Sequence, residues 1–390
     1  MRILTYTSLY PNSVQTRHGI FIENRLRHLI AKKKVKLTVI APVPWFPFKN
    51  RKFGSYSEFA SISSYEKRYG IDIYHPRYPV IPKVGMNFSP LLMYYFTRNF
   101  VKKIIDKLGG VDLIDAHYFF PDGVAAARIA KLLCIPLVIS ARGTDINVIP
   151  NYRRPLKQII QAADQANGLI TVSEALKERL ISLGVTAEKI STIRNGVDLN
   201  LFHQNKREET RKQYGMDNIT LLSVGNLVEL KGHHIVIEAM KYFPDMKLVI
   251  VGKGVKKNTL VNLAQSLNVM NQILFIENVS QEYLSQLYSA ADITVLASSR
   301  EGMPNVILES IACGTPVVAT DVGGIPEILK SIKSGVLMRT RNVDELVLAL
   351  KTLIDNYPRR ADIRADLCDF SWDEVIEKQF CFFQSVVNNA

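Results

Sequence analysis

Between Ile293 and Thr320 the chain runs apolar strand, polar loop, amphipathic helix, glycine stop and apolar strand, and few folds accept that order. Ile293 to Ala297 and Pro316 to Thr320 are the two apolar runs; Ser298 to Asn305 is the loop, and Cys313 with Gly314 ends the helix. Parallel strands joined by a crossover helix place this loop at the carboxyl edge of a sheet. There the first turn of the helix presents backbone N–H groups and the positive end of its dipole. Such an edge attracts anions. Pro304 suits the first helical turn because its missing N–H would have had no partner, which leaves Met303 and Asn305 as backbone donors. Glu301 and Glu309 flank the turn Gly302, Met303, Pro304 and Asn305. A carboxylate repels phosphate, so a polyhydroxyl group such as a sugar fits the pair better. Taken alone, the pair fits equally well a loop charge and a solvated helix residue.

The same alternation fills the remaining sequence, which predicts doubly wound parallel sheets of the α/β class. At 390 residues the chain exceeds one hydrophobic core, so two domains are expected. Met1 to Tyr6 begins directly as a strand, so no signal peptide is expected, and no apolar run is long enough to span a bilayer. The cysteines Cys134, Cys313, Cys368 and Cys381 are widely spaced and read as buried apolar residues of a reducing compartment. Charge is uneven: residues 1–200 hold 29 Lys+Arg against 14 Asp+Glu, whereas residues 201–390 hold 20 against 22. The basic half is expected to meet something anionic: nucleic acid, a bilayer surface or a charged substrate.

In the first half, a polar loop from Ser8 ends in Gly19 before an amphipathic helix from Ile20 to Ala31. A glycine there lets backbone approach a phosphate, although it also serves as an ordinary turn. Pro44 to Phe53 interleaves aromatic and basic residues without period. Pro90 to Leu108 reads as a helix with Tyr94, Tyr95, Phe96 and Phe100 and a basic end at Lys102, Lys103 and Lys107. Both segments suit a membrane interface or single-stranded nucleic acid; the helix equally suits packing its aromatic face on a sheet. A strand from Val111 to Asp115 delivers His117 to a carboxyl edge, where it could meet a substrate hydroxyl or pass a proton near neutral pH. The next strand ends in Ala141-Arg142-Gly-Thr-Asp145 at the same edge.

Asn200 to Asn218 is polar and lacks an apolar period, which marks a boundary. Beyond it Thr220 to Gly225 restarts the sheet and leads to Asn226 and Lys231-Gly232, where Lys231 is placed to reach a phosphate. Lys247 to Val251 leads to Gly252-Lys253-Gly254, a small-residue turn that admits a nucleotide. A last helix starts at Ser371-Trp372 and is long enough to return to the first domain.

Taken in order, the Gly19 loop, His117, Asn195-Gly-Val-Asp198, Lys231-Gly232, Gly252-x-Gly254, Glu301 with Glu309 and Ser371-Trp372 resemble family 4 of the retaining glycosyltransferases over nearly the whole chain. The resemblance implies the GT-B fold, two Rossmann-like domains facing across a cleft. An acceptor-binding domain would span residues 1–200 with the helix 371–390, and a donor-binding domain residues 201–370. It implies a nucleotide-diphosphate sugar, UDP- or GDP-linked, as donor and no metal or other cofactor, in keeping with the lack of any D-x-D. Glu309 would bind ribose, and Glu301 with Gly302, Met303, Pro304 and Asn305 the transferred sugar. Lys231 and Gly19 would face the diphosphate, Gly252 would admit the nucleotide, and His117 would lie near the reacting carbon. The family commonly has arginine where this chain has Asn226, a change worth about 1.5–3 kcal/mol of charge-assisted bonding. Arg17, Arg142 or Lys253 could compensate, with Arg17, Arg142 and Asp145 as acceptor or diphosphate candidates.

The expected acceptor is lipid-linked or a polysaccharide at an anionic membrane surface, not nucleic acid. The expected location is cytoplasmic, peripheral to the inner face of the plasma membrane. A soluble disaccharide or glucan synthase of the same fold, or a non-catalytic sugar-nucleotide-binding module, are the alternatives.

Overall fold

The computed structural model describes residues 1–46, 52, 55–80, 85–277 and 279–390. Most of the aromatic-basic stretch Pro44 to Phe53 therefore lies outside the described residues, as does Asn278. The chain divides into two compact units, Met1–Asn195 with Asp373–Ala390, and Gly196–Trp372.

The first unit is built on a sheet of eight described strands. In chain order these are β1 (Arg2–Tyr6), β2 (Lys36–Ile40), β4 (Tyr65–Arg68), β5 (Ile71–Tyr74), β7 (Leu113–His117), β8 (Leu137–Ala141), β9 (Gly168–Thr171) and β10 (Ile190–Thr192); β3 (Val43–Trp45) and β6 (Arg77–Pro79) form a separate parallel pair. Across the sheet the order is β10-β9-β8-β7-β1-β2-β5-β4, parallel except for the edge hairpin β4–β5. That hairpin turns at Tyr69 and Gly70, both at positive φ (50° and 80°), the combination a two-residue turn needs to match strand twist. The middle strands are covered on both faces by helices: every residue of β7, β8 and β9 is buried, the polar Asp115 and His117 of β7 among them.

The second unit carries an all-parallel sheet of six described strands, β11 (Thr220–Val224), β12 (Lys247–Val251), β13 (Ile273–Ile276), β14 (Ile293–Leu296), β15 (Val317–Thr320) and β16 (Gly335–Met338). Their order is β13-β12-β11-β14-β15-β16. Leu221, Leu248, Ile250, Val295 and Val318 form its core with Ile237 and Leu350 from the covering helices. In each unit the strand order reverses at one place, between β1 and β7 and between β11 and β14. A doubly wound sheet opens a crevice for ligands at such a point.

The stretch 200–218 is not a free linker. It belongs to the second unit and contains a helix, Arg207–Tyr214, because Arg207 and Arg211 grip the Asp292 carboxylate at 2.6 and 2.9 Å and Phe202 and Met216 are buried. The final helix, Trp372–Asn388, packs on the first unit over most of its length. Its Gln379 accepts from the buried Arg25 at 3.2 Å, and Asp373 pairs with Lys32 at 3.0 Å. Of the cysteines expected to be buried, Cys313 is, but Cys134, at a helix end, and Cys381, on the last helix, are exposed; the side chain of Cys368 lies outside the described residues. Among the described residues no helix is long and apolar enough to cross a membrane.

The seat of that last helix is Gly168 in β9, where an added Cβ would lie 2.7 Å from the Phe382 ring and 2.9 Å from Val386. Gly168→Val should therefore destabilise the first unit by about 1–3 kcal/mol through overpacking, read as a lowered urea midpoint.

Candidate functional site

Three loops meet at the carboxyl edge of the second sheet, after β11, β12 and β14. Backbone contact welds them together. Gly232 has φ +70° and an added Cβ there would lie 1.9 Å from the Ala297 carbonyl oxygen, so the loop after β11 touches the loop after β14 only because residue 232 is glycine. The Ser299 N–H donates to Leu230 O at 2.8 Å, and Arg341 donates to both Ala297 O (2.8 Å) and Glu229 O (2.9 Å). Gly252 and Gly254 do the same for the third loop: their Cβ atoms would lie 1.9 Å from Gly225 O and 2.3 Å from Leu227 O. The Leu227 N–H donates to Lys253 O at 2.7 Å. Asn226 and Lys253 are consequently exposed neighbours on one rim.

Within this frame Lys231 Nζ lies 2.6 Å from Glu301 Oε1, and the buried Ser298 hydroxyl donates to the same oxygen at 2.7 Å. Both side chains of the ion pair are mostly buried. Lysine and glutamate, assigned separate duties on the sequence, thus form one unit at the crevice between β11 and β14. Gly302 faces the loop after β15, where its carbonyl accepts from the Gly324 N–H at 2.9 Å. Met303 is buried, and Pro304 precedes the helix Asn305–Ala312 at its cap position, one residue earlier than expected. One turn into that helix Glu309 accepts from the Tyr288 hydroxyl at 3.0 Å. Burial pushes its carboxyl up to about 7, with the Tyr288 bond opposing. Near neutral pH it is shared between a form that only accepts hydrogen bonds and one that also donates, which suits a diol. His233, unremarked in the sequence, is buried with Nδ1 2.9 Å from Ser223 Oγ, and burial lowers it to about 4, so it stays neutral and braces β11.

The first unit gathers its polar residues at the β1/β7 reversal. Gly19, at φ +71°, starts the helix Ile20–Lys32, and an added Cβ would lie 2.2 Å from Leu9 O. Arg17 is exposed on the preceding turn. The Ser8 N–H and hydroxyl both donate to Asp122, at 2.8 and 3.0 Å, tying the loop after β1 to the loop after β7. His117 ends β7 fully buried. Its Nδ1 lies 2.5 Å from an Arg142 nitrogen and its Nε2 3.0 Å from Asp115 Oδ2. An arginine has only protons to give, so Nδ1 accepts and Nε2 carries the hydrogen. Burial lowers His117 to about 4, Asp115 opposing and Arg142 reinforcing.

This corrects the expectation of a proton carrier near neutral pH: the imidazole is neutral there, fully buried, and its Nδ1 is taken by Arg142. Asp145 is also corrected. Its oxygens accept from the N–H groups of Phe119 (2.7 Å), Gly143 (2.7 Å) and Arg142 (3.1 Å), so it shapes the two loops and is not presented to an acceptor. Arg142, besides His117, approaches Asn195 at 3.4 Å, and is a committed cation.

The description "Glycosyltransferase Family 4" matches residues 21–201 and "Glycosyl transferases group 1" matches residues 206–366. The chain is 32% identical over 339 residues to the "Putative teichuronic acid biosynthesis glycosyltransferase TuaC" of Bacillus subtilis, covering 84% of this chain and 83% of that one. Two solved structures share the fold. One is an Anabaena protein crystallised with UDP, with TM-score 0.77 and 21% identity over 99% of this chain and 100% of that one. The other is the sucrose-phosphate synthase of Thermosynechococcus elongatus, with TM-score 0.79 and 18% identity over 100% and 99%.

The Glu309 geometry has a measurable consequence. Its carboxyl ionises near 4.5 in the unfolded chain and near 7 when folded, so the folded state holds the extra proton and stability falls as pH rises through that window. Wild type should lose at most about 3 kcal/mol relative to Glu309→Gln between pH 4 and 7 in urea unfolding.

Proposed function

The chain belongs to family 4 of the glycosyltransferases, and on that footing we propose that it moves a sugar from a nucleoside-diphosphate sugar to a hydroxyl acceptor, with retention of configuration and without a metal. The observation that carries this reading is the Lys231–Glu301–Ser298 cluster at the β11/β14 reversal, with Glu309 one helical turn away. Glu309 takes the ribose diol. Glu301, with the turn Gly302 to Asn305, takes the hydroxyls of the transferred sugar. Lys231 serves the leaving group: the bond from the anomeric carbon to the phosphate oxygen breaks as the acceptor oxygen bonds that carbon. The acceptor's proton passes to the departing diphosphate, whose charge Lys231 holds in place. Pairing with Glu301 aims the lysine before substrate arrives, at less cost than a lone buried cation.

The gap at Asn226 is filled by Lys253. Arg142 is engaged with His117 and Asn195. Lys253 shares a rim with Asn226 through the Leu227 to Lys253 backbone bond and is exposed. The acceptor is a lipid-linked or polymeric glycan at an anionic membrane surface. Supporting this are the helix Ser89–Leu108, with Phe96 57% exposed and Lys102 and Lys103 in solvent, and the teichuronic acid biosynthesis in the relative's name.

Three measurements bear on this reading. UDP or GDP at 100 times its dissociation constant should add about 2.7 kcal/mol of stability, and nucleotide should be released from the matching sugar donor when acceptor extract is supplied; no turnover with any donor would leave only a binding module. Lys253→Ala should weaken the nucleoside diphosphate about 10–100-fold, and Asn226→Arg in that background should recover most of it. Unchanged affinity in Lys253→Ala would show the diphosphate is held by other groups. The protein should sediment with anionic vesicles at low salt and lose that on Lys102→Glu/Lys103→Glu; remaining in the supernatant removes the membrane part.

A further inference from the structure

A groove on the first unit lies along the outside of the helix Val124–Leu133, away from the polar clusters described above. This helix sits between the helix Ser89–Leu108 and the helix Arg153–Gln165. It is recessed because its outward positions next to the neighbours are small: Val124 and Ala127 form a buried floor, and its longer neighbours rise on both sides. The trough encloses about 720 Å³, within the ~300–1,000 Å³ typical of ligand sites.

Its two walls differ. On one side stand Tyr94 and Tyr95, their rings edge to face with centroids 5.1 Å apart. Arg98 lies 5.3 and 4.9 Å from their centroids and donates to the Tyr94 hydroxyl at 3.4 Å, so the aromatic pair is held as a platform. On the other side Gln158, Gln161 and Gln165 recur at helical spacing on one face. Gln158 turns its amide to the Asn87 carbonyl at 3.2 Å, and the exposed pair Gln161 and Gln165 spans about 6 Å at 1.5 Å rise per residue, the width of a sugar ring. Arg128 and Lys131 lie between the walls, and no carboxylate lines the trough.

We propose that this groove binds an acidic oligosaccharide, holding a stretch of glycan apart from the reacting hydroxyl. Amides supply paired donors and acceptors to hydroxyl groups, tyrosine faces stack on the apolar faces of pyranose rings, and the two cations pair with carboxylates on the chain. An acyl chain fits poorly, because it would cover the exposed amides of Gln161 and Gln165 and two cations without giving them a partner. The choice of a saccharide rests on the glycosyltransferase reading above; the site itself rests on its lining. The bilayer-facing residues named earlier differ: Phe96 and Lys103, seven residues apart on the same helix, do not line the groove.

The full chain is titrated with trigalacturonate and with maltotriose, without nucleotide, by calorimetry. Trigalacturonate should bind at least about tenfold more tightly than maltotriose, a difference of about 1.4 kcal/mol. Tyr95→Ala and Gln161→Ala should each weaken it by a similar factor while leaving UDP affinity and the urea midpoint unchanged; both residues are exposed, so neither is needed for folding. The proposal fails if neither saccharide binds, or if both variants bind trigalacturonate like wild type. It fails equally if the variants lose anionic-vesicle binding while no saccharide binds, since the face is then a bilayer contact. Absence of UDP binding in wild type would instead sink the donor-site reading and leave the saccharide result standing.

Discussion

The donor edge depends on one close approach of backbone. The Ala297 carbonyl occupies the space where any side chain at residue 232 would begin, so the loops after β11 and β14 come together only over a glycine at positive φ. With that contact in place, Lys231 and Glu301, 70 residues apart in the chain, meet at 2.6 Å, and Arg341 closes the joint by holding a carbonyl from each loop. The reversal of strand order leaves a crevice at this point in any doubly wound sheet. What this chain adds is a pair of opposite charges braced by backbone, so little reorganisation remains when a ligand arrives.

The two units treat charge in opposite ways at equivalent places in their sheets. In the second unit the ion pair keeps part of its surface open and Asn226 and Lys253 are exposed. In the first, Arg25, Asp115, His117 and Asp145 are fully buried and Arg142 partly so, and they serve one another and the backbone. Arg25 reaches the carbonyls of Ile193 (3.1 Å) and Arg194 (2.6 Å), just before the chain leaves the first unit. Burial at this density is costly unless each charge is held. The return is a set of loop shapes after β7 and β8 that are set by side chains in the sheet interior, independent of what binds above.

Much of this was legible in the sequence because parallel strands buried on both faces must be short apolar runs, and crossover helices must separate them. The pair Glu301 and Glu309 could be placed around a helix start for the same reason. Partnerships across long stretches could not. Nothing near Lys231 announces Glu301, and nothing near Glu309 announces Tyr288. His117 reads as reactive because its strand ends in polar residues, yet it is fully buried with Arg142 and Asp115 against its ring. Asp145 looks like a surface acid until three N–H groups converge on it. The stretch 200–218 looks like a linker because its anchor is an arginine pair on Asp292, not an apolar stripe. Cys134 and Cys381 were misplaced because residue type alone favours burial, while Cys134 caps a helix end in solvent and Cys381 falls on the outer face of its helix.

The return of the last helix has a consequence for synthesis. The first unit begins at the first residue but lacks the cover for Gly168 and the amide partner of Arg25 until residues 373–390 are made. The second unit is contiguous and can complete itself as it emerges. The half that starts first therefore finishes last, and a nascent or truncated chain exposes an unfinished apolar face on the very unit that carries the excess positive charge. Residues 373–390 are what cover that face.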